Sequence, residues 1–405
     1  AVLVLISNDY VRQHIRQPGE FYALMVFAAV GMIGMVAAGE LLTAYVALEL
    51  LSFSLYVLVA FRRDDAHGNE AGVKYIVLGA FSSAILLYGI SMVWGAAGTT
   101  YYDGISEHLA SNAGSLDSTL ILGLALIIAG LGFKVAAAPF HMWAPDVYEG
   151  APTPVTAFLS VGSKAASFAM LLRIFVMGLP SLGDEWALFF LVLAVVTMTV
   201  GNIAALTQSN LKRMLAYSSI AHAGYLLIGV VVGTERGWAA MLVYLGVYLF
   251  MQLGAFAVVT AMRRSDIIGD ELKDLNGLSK RSPMAAFAML FFMLSLGGIP
   301  PTAGFMGKVW LFGAAIEAEF IWLAVIAVAN SALSIYYYIR VVVFMWINQD
   351  EPAGSPITIG FAMKLTLGIA LIGTIVLGLY PQYLFSWALD AASTLPDIAA
   401  SVAVQ

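Results

Sequence analysis

The stretch Gly132-Phe133-Lys134-Val135-Ala136-Ala137-Ala138-Pro139-Phe140-His141-Met142-Trp143-Ala144-Pro145-Asp146-Val147-Tyr148-Glu149 decides how the rest of the chain is read. It follows Leu120–Leu131, almost wholly apolar, so Lys134 falls well inside a segment of membrane-spanning length. An ionised lysine at that depth costs about 3 kcal/mol to insert and is rarely kept without a partner or a task. Five residues later Pro139 has no N–H to offer the carbonyl of Val135, so a helix through Lys134 must open there. Opened backbone at membrane depth survives only where protein buries it or where it lines a wet cavity. A buried lysine beside a helix break is the pattern of an ion path.

Composition agrees. Of 405 residues 61% are hydrophobic and only 11% charged, against about 25% charged in soluble domains. The chain reads as an all-α polytopic membrane protein. It has no cysteine, which excludes thiolate-held iron–sulfur clusters, CxxC redox chemistry and disulfides. No GxGxxG or GxxxxGK[ST] run occurs, so nothing points to a dinucleotide or nucleoside triphosphate bound by this chain, and nothing suggests a nucleic-acid partner. The net charge of −6 says little, because what matters is where each charge falls.

About eleven segments reach the ~20 apolar residues that span a bilayer. They lie near 21–38, 40–60, 71–96, 119–142, 154–178, 186–206, 212–232, 237–262, 284–315, 320–347 and 360–386. The fourth and ninth are long and broken by proline, at Pro139 and at Pro300-Pro301. Thr153-Pro154 predicts a helix start, with threonine as N-cap. Residues 1–19 form an N-terminal arm, its first seven residues too short for a signal-peptide core and read as the tail of a helix. Two connections are long: 97–118 is acidic, and 263–283 is of mixed charge and reads equally as a short surface helix or a solvated loop.

Orientation follows from the basic residues of the connections. The arm and every second connection hold Arg12, Arg16, Arg62, Arg63, Lys212, Arg213, Arg263, Arg264, Lys273, Lys280 and Arg281. The opposite connections hold only Arg236, with Asp103, Glu107, Asp117, Asp184, Glu185, Glu317 and Glu319. The N-terminus is therefore expected on the cytoplasmic (or matrix, or stromal) side and the C-terminus across the membrane. Since the broken helices are five apart, two five-helix units must run in opposite directions, as in inverted-repeat transporters. The expected units are 20–178 and 179–347, followed by a C-terminal helix and tail over 348–405.

Among the remaining cations, Lys134, Lys164 and Lys308 lie deepest, each with apolar sequence on both sides. They are either structural ion pairs or proton carriers, since a desolvated lysine gives up its proton near neutral pH. Lys74 and Lys364 lie near helix starts, and Arg173 and Arg340 have room to reach an interface. Glu49 stands alone inside Leu41–Ala60, and Lys74 on the next helix is its expected partner. Glu40, at a helix end, reads as a surface charge. His141 and His222 are candidate stepping stones between the lysines, each also readable as a hydrogen-bonded structural residue. The aromatic residues at Trp143, Tyr148 and Tyr336–Tyr338 read as interfacial belts.

These motifs carry a family resemblance. Gly132-Phe133-Lys134, Ala138-Pro139-Phe140-His141 and Trp143–Pro154 resemble the antiporter-like membrane subunits of respiratory complex I. So do Leu211-Lys212-Arg213-Met214-Leu215-Ala216-Tyr217-Ser218-Ser219-Ile220-Ala221-His222 and Gly298–Lys308. Asp146-Val147-Tyr148-Glu149-Gly150 is similar to the N-type subunit (subunit 2 of the mitochondrial enzyme) more than to the L and M types or to multisubunit sodium/proton antiporters. Bacterial members usually carry three further helices ahead of the region matched; animal mitochondrial members do not.

The resemblance implies a proton-translocating membrane-arm subunit of an NADH:quinone oxidoreductase, beside other antiporter-like and small membrane-arm subunits. It implies no cofactor in this chain, with flavin, iron–sulfur clusters and quinone in partner subunits. By position in the motifs, Glu49 and Lys74 are the acid–lysine pair, Lys134 the lysine of the first broken helix, Lys164 the connecting lysine and Lys308 the exit-side lysine. Redox energy released elsewhere is expected to shift Lys74 relative to Glu49 and so alter proton affinity along Lys134, Lys164 and Lys308. The expected location is a bacterial cell membrane, with mitochondrial inner and thylakoid membranes as alternatives. A subunit of a stand-alone sodium/proton antiporter is the alternative function, and a passive helical scaffold the third reading.

Overall fold

The computed structural model describes residues 2–111, 118–263, 270–348 and 359–395 of the chain. Asp117, Arg264 and the centre of each long connection lie outside the described residues. What is described is all helix, apart from turns and two isolated bridges, Glu40 with Tyr101 and Asn210 with Glu271. Ten helical stretches there are long and apolar enough to cross a membrane.

The first half begins with α1 (Val2–His14), then α2 (Pro18–Ala37), α3 (Leu41–Val59) and α4 (Ala66–Ala97). After the short α5 (Tyr102–Ser111) comes the fourth segment, split into α6 (Ser118–Val135) and α7 (Trp143–Gly150). The fifth joins α8 (Thr153–Phe158) to α9 (Lys164–Leu172) through a π-helical turn, Leu159–Ser163. The second half runs α10 (Gly183–Leu206), α11 (Leu211–Val232) and α12 (Glu235–Met262). The 263–283 connection has a 3-10 turn at Leu272–Leu275 and one helical turn, α13 (Leu278–Arg281). The ninth segment is split into α14 (Pro283–Gly297) and α15 (Ala303–Glu317), followed by α16 (Ile321–Trp346), α17 (Phe361–Leu379) and α18 (Gln382–Ala392).

Local chemistry explains the ends. Asp65, Asn210 and Thr234 cap α4, α11 and α12 by accepting the N–H groups of Gly68, Arg213 and Gly237. Pro18 and Pro283 open α2 and α14, where a missing N–H costs nothing. The expectation for Thr153 is corrected: it is the first residue of α8, after Pro152, and its hydroxyl caps nothing. The freed position at the first turn goes instead to Pro152 and Pro154, whose fixed φ starts the helix unaided.

α11, α12 and the 153–178 segment are buried on nearly every side, while α2, α4, α10 and α17 show most of their surface outward. Their exposed faces are apolar, as at Ile33, Phe81 and Ile372. Lipid-facing residues need no polarity, so apolar burial cannot drive helix pairing and close backbone contact takes over. In the α10–α11 pair, a Cβ on Gly201 would stand 2.5 Å from the Ala221 nitrogen, and one on Gly224 2.5 Å from that of Met198. Arg173 and Arg340 are structural, as expected: Arg173 donates to the carbonyl of Ala38 and Arg340 to those of Leu206 and Gln208. Each satisfies carbonyls left over at a helix C-terminus. Glu40 accepts from Thr100 and Thr43, and those two hydroxyls hold its carboxyl below the ordinary value.

Candidate proton-path lysines and their surroundings

The first break opens where Pro139 requires it. α6 stops at Val135, and Ala136 turns back with φ +58°. The carbonyls released at its end are not left bare: Ala137 N–H reaches Gly132 O at 2.8 Å, and the Trp143 indole reaches Phe133 O at 2.9 Å. Ala138 N–H donates to Thr197 Oγ1 of α10 at 2.9 Å. The opened backbone is thus buried in protein.

Lys134 sits in the last turn of α6, 6% exposed, and donates to the Ser52 hydroxyl of α3. One turn before Ser52, Glu49 accepts from Ser83 Oγ of α4 at 2.6 Å and lies within Coulombic reach of Lys134. The Tyr45 hydroxyl closes this group 2.9 Å from Ser83 Oγ.

The second break solves the same problem from the other side. α14 ends at Gly297, and Gly298 takes φ +78°, with Ile299 N–H returning to Leu294 O at 3.0 Å. This left-handed cap leaves the carbonyls of Leu296 and Gly297 facing inward. Lys308, on α15, reaches back to both at 3.1 and 3.2 Å and donates to Ser331 Oγ of α16 at 2.8 Å. Lys134 precedes its break and Lys308 follows its own, yet both belong to the carboxyl end of a half-helix, where the dipole favours a cation.

Lys164 follows the π-helical turn, a feature frequent at functional sites. It is 3% exposed and donates to the carbonyl and the hydroxyl of Ser219 on α11. None of Lys134, Lys164 and Lys308 forms a salt bridge among the described residues. The ion-pair reading of these three therefore fails.

His222 lies between the second and third lysines. Its ring nitrogens face the Tyr244 and Tyr338 hydroxyls at 2.7 and 3.0 Å. The Tyr248 ring lies tilted 5.1 Å from the imidazole and 5.6 Å from Lys164 Nζ; Tyr225 is 5.7 Å from the imidazole and 5.2 Å from Lys308 Nζ. Lys164, His222 and Lys308 thus share one aromatic-walled, hydroxyl-lined interior. His141 does not join it: half-buried at the first break, its Nδ1 has no partner among the described residues.

Several expectations are corrected. Lys74 is not the partner of Glu49. It binds Asp146 at 2.8 Å and Glu70 at 2.9 Å, at the rim of an open cavity of about 620 Å³ that Glu149, Arg213 and Asp270 also line. α4 has 32 residues, roughly 48 Å of helix against a hydrocarbon core of about 30 Å, so it has length to spare, and Lys74 in its third turn lines the charged cavity. Asp146 also binds Arg213 at 2.6 Å; burial pulls its carboxyl up, but the two cations prevail and hold it below the usual carboxylate range.

Lys212, expected in a solvated connection, is fully buried and donates to Glu149 O and Ala151 O at 2.6 and 2.7 Å. The aromatic belts also fail in part. Trp143, Tyr148, Tyr337 and Tyr338 are buried in the core, and of that set only Tyr336 faces outward. The hydroxyl partners Ser52, Ser83, Ser219 and Ser331 carried no signal of their own in the sequence. The described residues contain no group of three or more His, Cys, Asp or Glu able to hold a metal ion.

Helix breaks that bury unpaired ammonium groups within a polytopic bundle define an ion-translocating membrane protein class. The family model described as NADH:quinone oxidoreductase/Mrp antiporter, transmembrane, matches residues 38–334, and the chain belongs to that family. NADH-quinone oxidoreductase subunit N of Trichlorobacter lovleyi is 46% identical over 392 residues, 97% of this chain and 80% of that protein. Its namesake from Moorella thermoacetica is 46% identical over 388 residues, 96% of this chain and 81% of the relative. A chain of respiratory complex I from Thermus thermophilus superposes with a TM-score of 0.78 at 35% identity, covering 95% of this chain and 85% of its own. A chain of the Mrp complex from Dietzia sp. DQ12-45-1b, at 23% identity, shares the fold with a TM-score of 0.85 over 97% of this chain and 81% of that one.

Proposed function

We propose that this chain is a proton-translocating membrane-arm subunit of an NADH:quinone oxidoreductase of the complex I type. One observation carries the reading. Lys134, Lys164 and Lys308 are buried at helix breaks or beside a π-turn, and hydroxyls and carbonyls, not carboxylates, hold them. A salt-bridged lysine keeps its proton, whereas a desolvated one held by neutral groups exchanges it with water. The proposed order of transfer is Glu49, Lys134, Lys164, His222, Lys308. The coupling acid faces Lys134 through Ser52 and Ser83, so the charge-sensitive pair is Glu49 with Lys134, while Lys74 belongs to the cavity rim.

The breaks also support an architecture of eleven spans in two inverted five-helix units, 20–178 and 179–347, plus a C-terminal span. α2 pairs closely with α3 as α10 does with α11, at the same place in each unit. The proposed setting is a bacterial cell membrane, like that of the bacterial relatives, with antiporter-like and small subunits alongside. Flavin, iron–sulfur clusters and quinone belong to partner subunits.

The sodium/proton antiporter alternative shares the fold and the lysines. Purification of the assembled complex from membranes separates the two. Flavin and iron–sulfur absorbance accompanying this chain is the expected result, and an assembly lacking both overturns the redox-linked reading.

A further inference from the structure

We propose that Gln252 holds ordered water against the Lys164 site and so completes a proton inlet from the charged cavity; this rests on the translocation reading above. Gln252 lies on α12, is 0% exposed, and neither its amide oxygen nor its amide nitrogen has a hydrogen-bond partner among the described residues. A buried primary amide offers two donors and an acceptor with two lone pairs. Leaving all of them empty carries the full desolvation penalty, so buried groups of this kind are met by water when protein does not meet them.

The place of Gln252 is fixed by its neighbours one turn away on the same face of α12. Tyr248, on one side, has its ring 5.6 Å from Lys164 Nζ and its hydroxyl directed at Ser219. Phe256, on the other side, packs edge-on against Tyr148 at 6.4 Å. Tyr148 in turn places its hydroxyl 3.3 Å from Ser219 Oγ, the atom that also holds Lys164. The Gln252 amide therefore faces the Tyr148–Ser219–Lys164 group.

The same group backs onto the cavity. Glu149, Gly150 and Arg213 line the cavity, and next to them buried Lys212 spans Glu149 O and Ala151 O. Thr153, two residues past Ala151, is fully buried with its hydroxyl unpartnered among the described residues. Lys212 and Ser219 stand two turns apart on one face of α11, about 10 Å. Water at Thr153 and Gln252 fills that interval with polar contacts. Protons would then move from the cavity to Lys164 along these hydroxyls and waters without crossing bare hydrocarbon, each water passing one proton on as it receives another.

The experiment uses the assembled complex. A density map in which ordered waters are visible elsewhere in the membrane arm should show water within hydrogen-bonding distance of the Gln252 amide; a dry apolar contact there overturns the proposal. Gln252→Leu keeps the volume and removes the polarity. It should leave assembly intact and lower proton pumping about tenfold, the change that follows from losing one hydrogen-bonded contact to a water in the path. Gln252→Asn, which keeps a neutral primary amide, should restore part of the rate. Lys164→Met serves as reference: if it abolishes pumping while Gln252→Leu pumps normally, this inlet is wrong and the translocation reading stands. If both pump normally, the translocation reading itself fails.

Discussion

Adding one methyl group at Gly298 tests whether Lys308 must sit where it does. Gly298 has φ +78°, and a Cβ there would lie 2.9 Å from Lys308 Cδ and 3.1 Å from Nζ. Gly298→Ala therefore does two things. It places an L-residue in the left-handed region, which costs about 1–2 kcal/mol. It also pushes the ammonium away from Leu296 O and Gly297 O, where each hydrogen bond to a charged group is worth roughly 1.5–3 kcal/mol. Losing one such bond corresponds to about a ten- to hundredfold change in occupancy of the working position. Gly98→Ala is the control, because Gly98 also has a left-handed φ, +71°, but nothing lies within 4 Å of its added Cβ. Both variants should lose thermal stability through the strained backbone, Gly298→Ala the more because Lys308 is also displaced. Proton pumping in proteoliposomes should fall about tenfold or more in Gly298→Ala only. Equal pumping in the two variants refutes the placement of Lys308 in the path.

Two further outcomes follow from the geometry. His222→Phe should assemble and pump slowly, because the imidazole that joins Tyr244 to Tyr338 is gone, and His222→Gln should recover part of the rate; unaltered pumping in His222→Phe removes His222 from the relay. Asp146→Asn cuts the ties from α7 to Lys74 and Arg213, so hydrogen exchange over residues 143–150 should quicken at neutral pH. The native carboxyl lies below its ordinary value of about 4, so the tie is in force above that pH and fades as pH falls through the lowered value. Wild type and variant should therefore converge in acid, and identical exchange at neutral pH excludes the tie as a restraint on α7.

What was legible in the sequence follows from which forces act along the chain and which act across it. Apolar runs of bilayer length and prolines that withhold an N–H are local, so of the eleven expected spans the ten that form membrane-length helices among the described residues, and the openings at Pro139 and Pro300-Pro301, could be read directly. The depth of Lys134, Lys164 and Lys308 followed from the same runs. Pairing is different, because it depends on how helices turn toward one another. Lys74 was matched to Glu49 by nearness in sequence, while α4 turns Lys74 to Asp146 and the fold of α3 turns Glu49 toward Ser83 and Lys134. Lys212 resembled a flanking charge, and only the approach of the Glu149–Ala151 backbone explains its burial. Tyr337 and Tyr338 looked like belt residues until α16 was seen to face them toward Asn202 and His222.

The most direct measurement replaces Lys134, Lys164 and Lys308 together by methionine and follows proton movement per electron in reconstituted vesicles. Burying an isolated ammonium is costly and methionine of similar length removes that cost, so the complex should assemble. The account predicts that this assembled variant loses the protons carried by this chain. Wild-type pumping with all three ammonium groups removed would contradict it.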